Sequence, residues 1–141
     1  MIEDIFESTH RVRAYECDYY GHVNNAIYLN YLEFARMETL EAKGLSLTTL
    51  RDEGFQLVIL QIDIKYIYPA VTGDLIRICT GMKSYKNTTC TFHQEIFRSS
   101  DDKKLADADV TWAVINLQGR PVRIPQVLRD ALGFAPLKRK R

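Results

Sequence analysis

From Phe55 to Tyr68 apolar and polar side chains alternate: Val58, Leu60, Ile62, Ile64, Tyr66 and Tyr68 fall on one face, Gln61, Asp63 and Lys65 on the other. A period of two is that of a β-strand with one buried face. Pro69 ends the strand and Gly73-Asp74 turns the chain. Strand patterns return at about Leu75 to Ser84, Thr88 to Arg98 and Lys104 to Leu117, with turns at Lys86-Asn87 and Ser99 to Asp102. In the last strand Ala106, Ala108, Val110, Trp112 and Val114 alternate with polar neighbours. Gln118 to Pro121 forms another turn, and Pro125 opens a short helix through Leu132.

The first third of the chain has a different rhythm. Phe6 to Tyr15 mixes Phe, Thr, Val and Tyr with polar residues and predicts a strand. Asn24 or Asn25 then caps a helix that runs to about Lys43, where Gly44 supplies the stop. Its early turns are apolar around nearly the whole circumference, through Ala26, Ile27, Tyr28, Leu29, Tyr31, Leu32, Phe34 and Ala35. Such a helix must be wrapped by other structure. Glu33 and Arg36 are spaced to pair on its surface. One strand, one long helix and four strands joined by short hairpins predict an antiparallel α+β domain covering residues 1–141. So small a domain with apolar strands predicts a homodimer.

Composition narrows the function. With 46% hydrophobic and 26% charged residues the chain can build a core. A net charge of +1 argues against nucleic-acid binding, and the terminal Lys138-Arg139-Lys140-Arg141 reads as a solvated end. Three cysteines, Cys17, Cys79 and Cys90, lack metal-ligand spacing and read as free thiols of a reducing compartment. The opening Met-Ile-Glu-Asp lacks signal-peptide blocks, and no run is long enough to span a membrane. The expectation is a cytoplasmic protein without a membrane partner.

The chemistry concentrates in Tyr15-Glu16-Cys17-Asp18-Tyr19-Tyr20-Gly21-His22-Val23-Asn24-Asn25. A helix start offers unpaired N–H groups and partial positive charge, where a carbonyl oxygen becoming an oxyanion is stabilised. Asp18 stands just before it, either as a turn-forming residue or as a base or nucleophile. A thioester suits an ionised aspartate, because a thiolate leaves from a thiol of pKa about 8.5 without an acid to protonate it. His22 is read as a general base, a water-orienting group or a carbonyl donor, or as a turn histidine bonded to backbone. If the first strand reaches Asp18, Cys17 points to the opposite face. Asp63 is a solvent-facing strand residue or one that approaches the site across a dimer interface. Lys83 and Lys86 flank a hairpin, solvated or docking a nucleotide phosphate.

Asp18-Tyr-Tyr-Gly21-His22-Val23-Asn24-Asn25, Tyr28-Leu29, Tyr31 and Glu33-Phe-Ala35-Arg36 resemble the signature of hotdog-fold acyl-CoA thioesterases of the 4-hydroxybenzoyl-CoA thioesterase family, in particular a long-chain acyl-CoA branch. Lys65-Tyr66 through Pro69-Ala70, Gly73-Asp74, Gly119-Arg120-Pro121 and Ile124-Pro125 are similar to weaker family features. The resemblance implies a five-stranded antiparallel sheet wrapped around one long helix, in dimers or tetramers. It implies hydrolysis of an acyl-CoA to free acid and coenzyme A, without metal or cofactor. It makes Asp18 the catalytic carboxylate and the backbone N–H near Asn25 the oxyanion donor, while His22 and the Asn25 side chain are read as steering water or substrate. Gly21, Tyr28 and Lys65, in the matched segments, join Asp63, Lys83 and Lys86 as substrate-binding candidates. A branch with its carboxylate on the helix keeps Glu33 as an outsider. The rival readings are a thioesterase for acyl carrier protein and a non-catalytic acyl-CoA-binding domain.

Overall fold

The computed structural model describes residues 4–135. Strand β1 (Phe6–Arg11) and a 3₁₀ turn (Ala14–Glu16) precede helix α1 (Asn25–Ala42) and a short helix α2 (Leu47–Asp52). Strands β2 (Phe55–Tyr66), β3 (Leu75–Tyr85), β4 (Thr89–Arg98) and β5 (Lys104–Asn116) follow, then helix α3 (Gln126–Leu132). All pairings are antiparallel and the five strands lie in the order β1-β3-β4-β5-β2. One sheet curled over one long helix is the hotdog arrangement that the resemblance implies. The basic run at Lys138–Arg141 lies outside the described residues.

Both ends of α1 are set by the chain next to them. The Asn24 side chain accepts the Ala26 N–H at 2.9 Å. At the other end Leu45 N–H donates to Leu40 carbonyl and Gly44 N–H to Glu41 carbonyl, both at 2.9 Å. That is a Schellman stop, which needs the left-handed backbone (φ 80°) that Gly44 adopts. Tyr28, Tyr31, Leu32, Ala35, Arg36, Thr39 and Leu40 form its buried stripe. The sheet therefore covers one face rather than the whole circumference. Ala26, Asn30, Glu33 and Phe34 stay exposed in the single chain.

Around the stripe, Ile76, Ile78, Ile96, Ala106, Ala108 and Val110 close a core against the first half of α1. Phe92, Trp112 and Val114 close a second with Leu40, Leu50, Ile124 and Leu128. The alternation read in the last strand is thus the inner face of β5.

Four features depart from the sequence reading. The first strand stops at Arg11, because Val12 donates to Asp74 carbonyl and the Glu16 side chain accepts the Arg13 N–H at 2.7 Å, winding residues 14–16 into a turn. Helix α2, absent from the reading, is capped by Ser46, whose hydroxyl accepts the Thr49 N–H at 3.0 Å. The face of β2 changes halfway, since a bulge between Ile59 and Gln61 leaves Leu60 without a partner on β5. Ile62 and Ile64 pack on the core as expected, but before the bulge Phe55 and Leu57 do so rather than Val58 and Leu60. Finally, Arg36 makes no ion pair with Glu33. It turns inward and donates to Gln94 Oε1 at 2.9 Å.

Candidate active site

The segment between the 3₁₀ turn and α1 is a loop tied shut at its neck. Asn24 N–H donates to Glu16 carbonyl and Val23 N–H to Ala70 carbonyl, each at 2.9 Å, and Cys17 bridges Val23. At the tip, Asp18 N–H donates to His22 carbonyl at 2.7 Å and Gly21 N–H to Asp18 carbonyl at 3.0 Å. Asp18 Oδ1 accepts the Tyr20 N–H at 2.9 Å and the His22 N–H at 3.2 Å. Asp18 is therefore an Asx-turn residue. The turn also needs Gly21, whose φ of 78° is left-handed. The turn role does not remove the carboxylate from solvent, since Asp18 lines an open cleft of about 400 Å³ with His22, Asn25, Tyr28, Tyr66 and Pro69.

The helix start opens on the same cleft. Ala26 N–H is taken by the Asn24 side chain and Ile27 N–H by the Asn24 carbonyl. Among the described residues the Asn25 N–H meets no acceptor, at the end of α1 where partial positive charge gathers. Tyr66 of β2 fixes this end by donating its hydroxyl to the Asn25 carbonyl at 3.0 Å. Tyr28 is spent on structure: its hydroxyl accepts the Ala70 N–H at 3.0 Å and its ring meets Tyr66 edge-on. A carboxylate, an imidazole, an unengaged N–H and aromatic rings thus line one cleft.

Beneath the loop lies a network that the sequence reading passed over. Glu16 is buried, and its Oε1 accepts from Arg13 N–H at 2.7 Å, His10 Nε2 at 3.0 Å and the Tyr31 hydroxyl at 3.0 Å. Burial pushes the Glu16 carboxyl up, but the Arg13, His10 and Tyr31 donors outweigh it and hold it below the usual carboxylate value. Burial and the bond to Glu16 push the Tyr31 phenol far up. The carboxylate and its hydroxyl partner thus keep their protonation states across the neutral range. Cys17 turns elsewhere, with Sγ 3.2 Å from Thr72 Oγ1.

The remaining candidates stand apart from the cleft in the single chain. Asp63 and Lys65 are exposed on β2 and do not line it. Lys83 pairs with Asp109 at 2.6 Å on the outer sheet face, and Lys86 sits in the β3–β4 turn. Among the described residues one group has metal-ligand proximity: His93, Glu95 and Asp107, with ligand atoms within 4.8 Å of one another. The Lys104 ammonium already bridges its two carboxylates, at 2.6 and 2.5 Å. No helix among the described residues is long and apolar enough to cross a membrane.

A family model described as the thioesterase-like superfamily matches residues 12–132. The chain belongs to this superfamily. Within the thioesterase-like superfamily it is 34% identical to the long-chain acyl-CoA thioesterase FadM of Escherichia coli over 108 residues, 77% of this chain and 81% of that protein. It is 29% identical to a chloroplastic acyl-acyl carrier protein thioesterase of Arabidopsis thaliana over 123 residues, 87% of this chain and 65% of the plant protein. The chain thus spans just under two thirds of that plant relative's length. A crystal structure of a hypothetical protein from Aquifex aeolicus superposes with a TM-score of 0.85, covering 90% of this chain and 98% of that one at 29% identity.

Proposed function

We propose that this protein hydrolyses acyl-CoA thioesters to a free acid and coenzyme A, in the cytoplasm, as a homodimer or homotetramer. One observation carries the reading: the Asp18 carboxylate and the unengaged Asn25 N–H face the same cleft. The thioester carbonyl oxygen takes its place at the Asn25 N–H, where charge developing on it meets the positive end of α1. In one route Asp18 removes a proton from water, whose oxygen attacks the carbonyl carbon. In the other Asp18 attacks directly, and water then hydrolyses the mixed anhydride. Either way the tetrahedral intermediate collapses by breaking the carbon–sulfur bond, and the thiolate leaves without an acid. His22, whose imidazole forms no bond to any of the described residues, steers the water. Gly21 shapes the turn. Asp63, Lys65, Lys83 and Lys86 reach a nucleotide only from the partner or the outer face of the sheet.

The test is thiol release from a panel of acyl-CoAs by the wild type and Asp18→Asn. Asparagine keeps an oxygen to accept the Tyr20 and His22 N–H groups but loses the charge. A fall of roughly two to four orders of magnitude in kcat is expected. A variant as active as the wild type rejects Asp18 as the reacting group.

The plant relatives support a second reading, in which the acyl donor is acyl carrier protein. Matched acyl-CoA and acyl-carrier-protein substrates decide between the two by their kcat/KM ratio.

A further inference from the structure

Beyond the cleft, a cavity of about 270 Å³ runs between α1 and β2. It exceeds the roughly 150 Å³ apolar cavity that holds a benzene ring, so an aliphatic segment fits. Its lining is apolar except at one place, where Asn30, Glu33 and Arg36 enter. On α1 the residues Asn25, Leu29, Glu33, Arg36 and Leu40 follow one line at three- and four-residue steps, so the cavity begins about one turn below the helix start.

Arg36 is the anomaly. It is 8% exposed, and among the described residues it pairs with no carboxylate and donates to a single neutral acceptor, Gln94 Oε1. Gln94 is held in turn by donating to Leu32 carbonyl and Thr80 Oγ1, both at 3.0 Å, so its oxygen must face Arg36. A guanidinium has five N–H donors, and buried charges are normally satisfied by paired partners. The cavity lining also holds a second donor short of an acceptor. Trp112 is 2% exposed and its Nε1–H has no partner among the described residues. Glu33 adds an acceptor beside Arg36 without an ion pair between them. A neutral hydroxyl, which accepts and donates at once, matches Arg36 and Glu33 together. A carboxylate would satisfy Arg36 but be repelled by Glu33.

Resting on the hydrolase reading above, we propose that the acyl group this site selects carries a hydroxyl, which accepts from Arg36 and donates to Glu33. Arg36 lies eleven residues beyond Asn25, about 16 Å along the axis, and its side chain leans back by roughly one turn of about 5 Å. An extended chain advances about 3.5 Å per three bonds, so the hydroxyl stands roughly nine bonds from the thioester carbonyl.

The experiment compares kcat/KM for ω-hydroxydecanoyl-CoA, decanoyl-CoA and the ω-carboxyl analogue, with the wild type, Arg36→Met and Glu33→Leu. The wild type is expected to favour the hydroxyl over the alkyl substrate by about 10-fold or more, as a bond to a charged donor allows. Arg36→Met should bring that ratio to one or below. Should that variant fail to fold, Glu33→Leu, at an exposed position, decides alone by lowering the ratio several-fold. Equal turnover of hydroxyl and alkyl substrates, a preference for the carboxyl analogue, or a ratio unmoved by Glu33→Leu overturns the inference and leaves the hydrolase reading standing. No turnover of any of the three overturns the hydrolase reading, and the inference with it.

Discussion

Replacing Glu16 with glutamine tests the frame that holds the loop carrying Asp18. The carboxylate accepts three donors on Oε1, from Arg13, His10 and Tyr31. Glutamine keeps Oε1 as an acceptor for these donors but loses the charge, and its NH₂ replaces the Oε2 that lies 3.1 Å from His10 Nε2. His10 is half-buried and keeps access to water, so its loss counts least. The Arg13 N–H and the buried Tyr31 hydroxyl exchange charge-assisted bonds worth about 1.5–3 kcal/mol each for neutral ones worth about 0.5–1.5 kcal/mol. With two bonds each weakened by about 1–1.5 kcal/mol, the substitution should destabilise by about 2–3 kcal/mol at neutral pH. The folded carboxyl lies below its value of 4.5 in a free chain. A depressed carboxyl contributes its stability above that value and loses it as pH falls through the folded pKa. The gap between wild type and variant should therefore be full at pH about 7 and shrink on acidification below about 4.5. Urea denaturation at fixed protein concentration, at both pH values, measures the gap. A gap under about 0.5 kcal/mol at neutral pH, or one that does not narrow in acid, refutes the reasoning.

Three further outcomes follow from the same geometry. Tyr66→Phe removes the hydroxyl that holds the Asn25 carbonyl, and a lost bond of about 0.5–1.5 kcal/mol predicts a fall in kcat of roughly 2- to 12-fold with KM little changed; a rise in KM alone would contradict it. Gly21→Ala meets no atom within 4 Å but forces alanine to a φ of 78°, so it should cost about 1–2 kcal/mol in thermal denaturation through backbone strain alone. Leu60→Lys places a charge on the exposed bulge of edge strand β2, where Leu60 is 58% and Ile59 46% exposed. Sedimentation should show a shift toward monomer; an unchanged assembly would put the subunit contact elsewhere.

What the sequence disclosed was local. Asn24 and Gly44 announce the ends of α1 because capping is settled within a few residues, and the alternation of β5 survives because each inner residue is buried. Asp18, His22 and Asn25 share the cleft because eight consecutive residues bring them there. Distant partners were not legible. Tyr66 reaches Asn25 across 41 residues, and Arg36 abandons the surface because Gln94, 58 residues on, offers it an acceptor. The change of face in β2 was hidden for another reason. Leu57-Val58-Ile59-Leu60 is apolar throughout and carries no mark of which residue is the extra one. The turn at Ala14–Glu16 depends on a side chain whose other donors come from β1 and α1, so no pattern in the first fifteen residues foretells it.

Both backbone donors that hold Asp18 close on a single atom, Oδ1. If Asp18 reacts as proposed, the two halves of its carboxylate divide between architecture and reactivity. Oδ1 is the keystone of the bend, and Oδ2, which accepts no bond among the described residues, is the oxygen left for the reaction. A lengthened side chain such as glutamate would unseat both at once, which makes this position intolerant of a change that preserves charge but shifts reach.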